Sequence, residues 1–314
     1  MLGIDIGVSA IKLAVMRRQR RGWALQACAV QPLPCSMPGR CGLDSEIVRD
    51  ALRSSVADLP VRVRDATVAV ASADAITRTI SLEAGLGDQD LENRMAVEAG
   101  QHLPFALSEA SMDFCRLPDH GRACRPDQDA LLVACRRTEV MRRVALLEQC
   151  DLRAVVVDLD ALALSRVVGD AGPDTVQVVL DLGACGFRLH AFAQGRLLYS
   201  RTHQAGVSSL AGPAALSSQV AEPAPVSGLV QEIRRAIQLF LISTACEQEV
   251  IIKLAGGQAV LPGLTDGIST ACGRPVSRVQ MLPDLTVHAR VRQAFWQASV
   301  PRLSLACALA MRCR

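Results

Sequence analysis

An α/β fold of two related lobes follows from three observations. Two strand-like apolar runs close in Asp-apolar-Gly, and each is followed by a second strand-like run. The first copy is Leu2-Gly3-Ile4-Asp5-Ile6-Gly7 before Ile11–Val15, and the second is Val178-Val179-Leu180-Asp181-Leu182-Gly183 before Phe187–Ala191. A third apolar run, Val250–Leu254, ends in Ala255-Gly256-Gly257. Between these marks strands and helices alternate in mixed order, which argues for α/β. A carboxylate and a glycine at a strand–turn–strand corner can face a metal-bound phosphate, because glycine lets the backbone approach and successive amides form an anion-binding concavity. Two copies imply two half-domains facing a cleft.

The elements read in order. Residues 2–7, 10–16 and 23–31 are three successive strands, broken by Pro32, Pro34, Pro38 and Gly39. Leu43–Leu59 is an amphipathic helix with Asp44 or Ser45 as cap. Ala66–Ala71 and the alternating Ala75–Leu82 are strands. Gly85-Leu86-Gly87-Asp88 starts a helix that runs from about Asp90 to His102 and stops at Pro104. Ala110–Leu117 and Ala130–Cys135 are strands around a charged hairpin loop, Asp119–Gln128, and Thr138–Gln149 is a helix. Ala154–Val157 is a buried strand, and Asp158-Leu159-Asp160 leads into a helix ending near Val168. The second Asp-Leu-Gly hairpin runs to about Thr202. Residues 211–227, rich in Ala, Ser and Pro, read as a flexible loop. Leu229–Thr244 is an amphipathic helix, Leu264–Cys272 a second, and Arg302–Cys313 a final apolar one. The expected division is 1–84 for the first part of lobe I, 85–150 for an inserted helix–strand–strand–helix subdomain, 151–170 for a connecting strand and helix, 171–300 for lobe II, and 301–314 for a helix returning toward lobe I.

Composition bounds the function classes. At 314 residues there is length for about two domains with sizeable cores. Half the residues are hydrophobic but only 3% are aromatic, so Leu, Val and Ala must build those cores. A net charge of +3 is too small to argue for nucleic acid. Lysine occurs only at Lys12 and Lys253, so the basic charge is nearly all arginine, with one run at Arg17-Arg18-Gln19-Arg20-Arg21. That run fits a hairpin tip and reads either as a solvated turn or as a contact for anionic lipid or an acidic partner. The twelve cysteines are scattered, several in apolar runs (Cys28, Cys135, Cys272, Cys307), with no Cys-x-x-Cys and no His at zinc spacing. Free thiols in a reducing cytoplasm are expected rather than a disulfide framework. Met1 leads into a strand rather than a signal peptide, and no apolar run approaches roughly 18 uncharged residues, so no membrane span is expected.

A single Asp-Ile-Gly is weak, because Asp and Gly are turn residues in any case. Two copies followed by strand–Gly256-Gly257 carry more. The pattern lacks the Gly-Lys-Ser/Thr of a Walker loop, and each glycine turn enters a strand rather than the helix of a dinucleotide fold. The order hairpin, hairpin, strand–Gly-Gly resembles the actin/hexokinase nucleotide-binding superfamily. The resemblance narrows at Gly3-Ile4-Asp5-Ile6-Gly7-Val8-Ser9-Ala10-Ile11-Lys12, at Val97-Glu98-Ala99 with His102-Leu103-Pro104-Phe105, at Ser111-Met112-Asp113-Phe114, at Val156-Val157-Asp158-Leu159-Asp160, and at Glu232-Ile233-Arg234-Arg235-Ala236-Ile237. Over almost the whole chain it is similar to the PilM family, the actin-like proteins of type IV pilus assembly.

The resemblance implies an actin-like, FtsA-like two-lobed fold with a subdomain inserted in lobe I. It implies ATP and magnesium in the cleft, with Asp5, Gly7, Val8, Ser9, Lys12, Asp181, Gly183, Ala184, Cys185, Gly256, Gly257 and Gln258 at the nucleotide, and Asp5 and Asp181 toward the metal. It implies a groove beside the inserted subdomain, lined by Glu98, His102, Pro104, Phe105, Met112 and Phe114, for the N-terminal tail of a PilN-like inner-membrane protein. Through that partner it implies an indirect link to PilO, PilP and the pilus motor proteins, and a cytoplasmic location peripheral to the inner membrane.

The chain also departs from the family. The second hairpin reads Ala184-Cys185-Gly186-Phe187-Arg188, without the hydroxyls usual there. Arg188 either meets phosphate or faces solvent. Asp160 is either a water-orienting carboxylate or a helix cap, and Lys12 either reaches phosphate or snorkels. The stretch between Gly206 and Leu229 is too short for the usual small subdomain of lobe II, so the clasp on adenine is expected to be reduced or missing, weakening nucleotide binding. The resulting expectation is a scaffold with a degenerate ATP cleft. The alternatives are an active ATPase or kinase of the superfamily, a filament former, or a platform protein of type II secretion or competence.

Overall fold

The computed structural model describes residues 1–34, 42–83, 85–117, 127–169, 171–205 and 224–312. The expected loop at Asp119–Gln128 falls almost wholly outside them, as does most of 211–227, where the reduced clasp is expected. In chain order the elements are β1 (Leu2–Ile6), β2 (Ala10–Arg18), β3 (Trp23–Pro32), α1 (Glu46–Ala57), β4 (Asp65–Val70), β5 (Ala75–Glu83), α2 (Asp88–His102), β6 (Ala110–Arg116), β7 (Asp127–Arg136) and α3 (Arg137–Gln149). They continue with β8 (Arg153–Leu159), α4 (Asp160–Val168), β9 (Thr175–Leu182), β10 (Phe187–Ala193), β11 (Arg196–His203), α5 (Ala224–Thr244), β12 (Glu249–Ala255), α6 (Leu264–Cys272), β13 (Val276–Arg278), β14 (Leu285–Val287) and α7 (Gln293–Ala310). Short 3₁₀ turns lie at Ser72–Asp74, Leu107–Glu109 and Gly257–Val260.

Three sheets organise these elements. The first has order β14-β3-β2-β1-β4-β8, the second β11-β10-β9-β12-β13, and the third β5-β7-β6. In the first, β1–β2–β3 is an antiparallel meander and β4 and β8 join in parallel beside β1. In the second, β9–β10–β11 repeats the meander and β12 lies parallel to β9. The duplicated phrase is therefore a duplicated sheet motif. The third sheet draws its first strand from Ala75–Glu83, ahead of residue 85, because β5 pairs with β7 over its whole length.

Burial follows the sequence pattern. Helix α5 presents Leu229, Ile233, Ala236, Ile237 and Phe240 as one stripe, all at most 2% exposed, against Val178, Leu180 and Ile252 of the second sheet. Its start lies before the expected Leu229, so Ala224–Ser227 belong to the helix. Pro225 sits in its first turn, where a missing N–H costs nothing. The last helix likewise begins at Gln293, nine residues before the expected Arg302, and runs through Pro301. Its Ala306, Cys307, Ala308, Leu309 and Ala310 are fully buried against the first sheet. The approach is close: a Cβ on Gly3 would lie 1.9 Å from the Ala306 carbonyl oxygen. Ser45 stands at the N-cap of α1 without a side-chain capping bond.

Among the described residues no helix is long and apolar enough to cross a membrane. The eight described cysteines carry no disulfide, and burial pushes the Cys28 thiol up to about 11.

Candidate functional site: twin hairpins and a five-charge cluster

The two hairpins are built alike. At the first corner the Gly7 amide donates to the Ala10 carbonyl at 3.0 Å, and at the second the Gly183 amide donates to the Gly186 carbonyl at 2.9 Å. In each, the aspartate two residues before the glycine faces a basic residue across the ladder: Asp5 opposite Lys12, and Asp181 opposite Arg188. Direct cross-strand partners share a face and lie within side-chain reach. Lys12 Nζ lies 2.9 Å from Asp5 Oδ2, and Arg188 Nη2 lies 2.6 Å from Asp181 Oδ2, each pair separated by seven positions in sequence.

Arg188 makes a second contact, Nη1 to Asp160 Oδ2 at 2.8 Å. Asp160 opens α4, directly after β8 of the first sheet, so one guanidinium links the second sheet to the first. The other Asp160 oxygen accepts from the Ser72 amide at 2.9 Å, from the Ala161 amide at 2.7 Å, and from the Ser72 hydroxyl. Asp160 is 1% exposed. It is thus neither a standard N-cap nor a free carboxylate. The residue at the N-cap is Leu159, and Asp160 is a buried acceptor shared by the Ser72 turn, its own helix and Arg188.

The cluster holds three carboxylates and two cations. Burial raises the Asp181 carboxyl, but the charges of Arg188, Lys12 and His190 and the hydrogen bond from Arg188 bring it below the ordinary carboxylate value. Arg188 is held further into its charged form: burial works against the charge, and Asp181, Asp160 and Asp5 more than offset it. Behind it, His190 is fully buried, and desolvation lowers its imidazole despite the nearby carboxylates. Its Nδ1 sits 2.9 Å from Ser200 Oγ, while Nε2 has no hydrogen-bond partner among the described residues.

The Gly-Gly segment closes on the second hairpin. Gly256 has φ +88°, and a side chain there would come within 2.6 Å of Asp181 Oδ1 and of the Leu182 amide nitrogen. Its amide donates to the Pro301 carbonyl at 2.7 Å, tying β12 to α7. Gln258, in the 3₁₀ turn begun by Gly257, reaches the Ala184 carbonyl at 3.5 Å, and its Oε1 is buried without a partner among the described residues. Val8 and Cys185 are exposed at the two corners, and Ser9 uses its carbonyl to hold the Leu33 amide at 2.9 Å.

A cavity of about 70 Å³ lies beside β1 and the end of β4, lined among others by Asp5, Arg143, Asp160 and Arg188. Sequence reading expected Asp5, Asp181 and Gly256 at the cleft. It left Lys12, Arg188 and Asp160 open, and it missed Ser72, Arg143 and His190. Among the described residues no group of three or more His, Cys, Asp or Glu is placed to hold a metal ion.

The residues expected at a partner groove lie around the third sheet. Glu98 pairs with Arg94 at 3.3 Å and lies 4.0 Å from His102 Nε2. Phe105 lies under the Arg136 guanidinium, 4.6 Å from ring centroid to Cζ, next to exposed Pro104 and Leu107. Met112 and Phe114 pack partly against the Ile80, Leu91, Met95 and Leu132 cluster, so they serve the core beneath α2 as well as the surface.

Comparison with known proteins fits this geometry. The solved structure described as the PilM-PilN type IV pilus biogenesis complex superposes with a TM-score of 0.77 at 24% identity, over 99% of this chain and 97% of that one. The ethanolamine utilization protein EutJ from Carboxydothermus hydrogenoformans superposes at 0.54 with 14% identity, over 99% and 88%. These likenesses establish an actin-like fold. The sequence profile described as Type IV pilus assembly protein PilM matches residues 3–216 and 212–314, and with that match over essentially the whole length the chain belongs to the PilM family.

Proposed function

We propose that this protein is a scaffold of a type IV pilus assembly platform that holds the extended N-terminal tail of a PilN-like membrane protein, and that its nucleotide cleft is reduced. The observation that carries the first part is the free edge of the third sheet. Strand β6 pairs only with β7 among the described strands. An unpaired edge is a template for an added strand, and an extended peptide docks on one through backbone hydrogen bonds with apolar anchors on either side. Phe105, Pro104 and Leu107 lie just before that edge, and Glu98 and His102 lie on the preceding helix. The Phe114 amide donates to its neighbour Asp113 at 2.9 Å, so part of the edge is closed by its own side chain. The fold relative solved as a PilM-PilN complex supports the same partner class. The link to PilO, PilP and motor proteins, and the placement at the inner membrane, follow through that partner. The test is fluorescence anisotropy of a labelled PilN-like tail against this protein. Micromolar or tighter binding supports the reading, and absence of binding to the tail encoded alongside this chain removes it.

Arg188 supports the second part. The family resemblance implies two hairpins that hold phosphate and a magnesium-bound water. Here Arg188 would have to leave Asp181 before that carboxylate could orient such a water, since magnesium keeps most of its waters and is held through them. When bound, magnesium and ATP would bring charge neutralisation to Asp5, Asp181 and the corner amides of Gly7 and Gly183. In this chain Lys12 and Arg188 already supply it. Binding is then weak, and hydrolysis lacks a free carboxylate to orient water, because Asp160 is fully engaged.

A further inference from the structure

At the far end of the first sheet from Asp5, where β1, β4 and β8 begin, lies a basin of about 560 Å³. Its lining includes Arg17, Arg18, Arg62, Arg153 and Arg312, and one carboxylate, Asp65. That carboxylate is already taken, bidentately, by Arg153 at 2.8 Å on each oxygen. Arg17, Arg18, Arg62 and Arg312 are exposed, and none has a carboxylate partner among the described residues. The floor is apolar: Val15 and Met16 are sealed into the core at 2% and 0% exposure, and Val61, Val63 and Val155 are half-buried above them. Arg18 lies over Trp23 at the rim, 6.0 Å from the ring centroid, and Arg20 and Arg21 continue the positive charge onto the hairpin tip. In a chain of net charge +3, this is a strong local excess. No lining residue comes from 75–149, although Arg312 at the rim lies near enough to Cys115 of β6 to act on its thiol.

We propose that this basin is a second docking site, for an acidic peptide segment of a partner protein with an apolar side chain set among its carboxylates. Guanidinium forks match carboxylates bidentately, and arginines without a carboxylate partner around an apolar floor favour an anion with an apolar anchor. The volume falls within the roughly 300–1,000 Å³ of ligand pockets, enough for an apolar anchor. A bilayer surface presents headgroups in a plane and would meet the rim arginines while leaving the floor unfilled, so the concavity favours a peptide.

The probe is a short fluorescein-labelled peptide with Leu-Phe set between runs of Glu and Asp, titrated by anisotropy against the full chain. A second peptide replaces Leu-Phe by Ser-Ser, and vesicles containing phosphatidylglycerol form a third arm. The expected result is saturable binding of the first peptide that weakens as salt rises, because exposed charges are screened over about 10 Å at 0.1 M. The Ser-Ser peptide and the double variant Arg17→Glu with Arg62→Glu should each bind about tenfold or more weakly. Both substitutions are at exposed residues, and an unchanged thermal midpoint establishes that the variant folds. A variant that does not fold is replaced by Arg62→Gln with Arg312→Gln, read in the same way. No binding of the first peptide, equal binding of both peptides, equal binding by the folded variant, or binding to vesicles without binding to the peptide each overturns the proposal.

Discussion

Arg188 and Asp160 join the two main sheets through a single guanidinium–carboxylate contact of 2.8 Å, with Asp160 1% exposed and Arg188 27% exposed. The same guanidinium satisfies Asp181, so two buried carboxylates depend on one cation. Removing one partner of a buried pair costs more than the pair contributes, because the remaining charge is left without compensation.

Arg188→Ser should therefore lower stability by about 2–4 kcal/mol in urea denaturation. It should also restore a hydroxyl beside Asp181 and free that carboxylate. With magnesium, a fluorescent ATP analogue is expected to bind Arg188→Ser more tightly than the wild type, and the gain should vanish in Arg188→Ser with Asp181→Ala. Tight magnesium-dependent binding by the wild type, unchanged in Arg188→Ser, would contradict the reduced cleft.

His190 predicts a pH dependence. Burial lowers its imidazole below the ordinary value of 6.5, so the folded protein keeps it neutral where the unfolded chain takes up a proton. Stability is then complete above about 6.5 and is lost as pH falls through that value, with a slope of up to about 1.4 kcal/mol per pH unit. The charged neighbours are Asp160, Asp181 and Arg188; the lowered Asp181 value acts only below the carboxylate's ordinary 3.8 and does not enter this window. Urea midpoints of the wild type should fall between roughly pH 7.5 and 5.5, and His190→Gln should flatten the fall. His203, also lowered by burial, should leave a residual slope in that variant.

Two glycines should be intolerant for different reasons. At Gly3 an added methyl would meet the Ala306 carbonyl oxygen at 1.9 Å, and at Gly256 it would meet Asp181 and Leu182 from a backbone at φ +88°. Gly3→Ala must push α7 off β1, so it should lower the thermal midpoint by several degrees without touching the charge cluster. Gly256→Ala adds backbone strain beside Asp181. It should lower the thermal midpoint and also shift the pH profile described for His190. If both variants behave like the wild type in thermal melts, the close packing of α7 is wrong.

The hairpins were legible because their marks are local: apolar alternation and Asp-apolar-Gly. The equal spacing of Asp5–Lys12 and Asp181–Arg188 was itself a readable signal, since hairpins with the same corner place those positions opposite one another. It would have turned Arg188 toward the cleft rather than leaving it open. Ser72 was not legible, because its contact with Asp160 spans 88 positions and depends on the pairing of β4 with β8. The start of the last helix was misread at Pro301, which normally breaks a helix. Here the helix runs through it, and the Pro301 carbonyl takes the Gly256 amide and the Ser304 hydroxyl, at 2.7 and 2.9 Å. Strands β13 and β14 have three residues each, too few for periodicity to register.

The edge of β6 gives the last prediction. If an extended tail adds to that edge, its apolar anchors should meet Phe105 and Leu107, which precede the strand and are not part of the core beneath α2. Phe105→Ala removes an aromatic ring that is half-exposed and stacked under Arg136, so it should cost little stability. It should weaken binding of a PilN-like tail by roughly tenfold, about 1.4 kcal/mol. Met112→Ala, by contrast, removes a side chain that also packs on Ile80 and Met95. Its effect should appear in the thermal midpoint as well as in the affinity. Anisotropy and thermal melts on both variants separate the two roles. Loss of tail binding in Phe105→Ala with an unchanged midpoint places the tail at the edge. Full affinity in Phe105→Ala and in Leu107→Ala moves the partner to another face of the molecule.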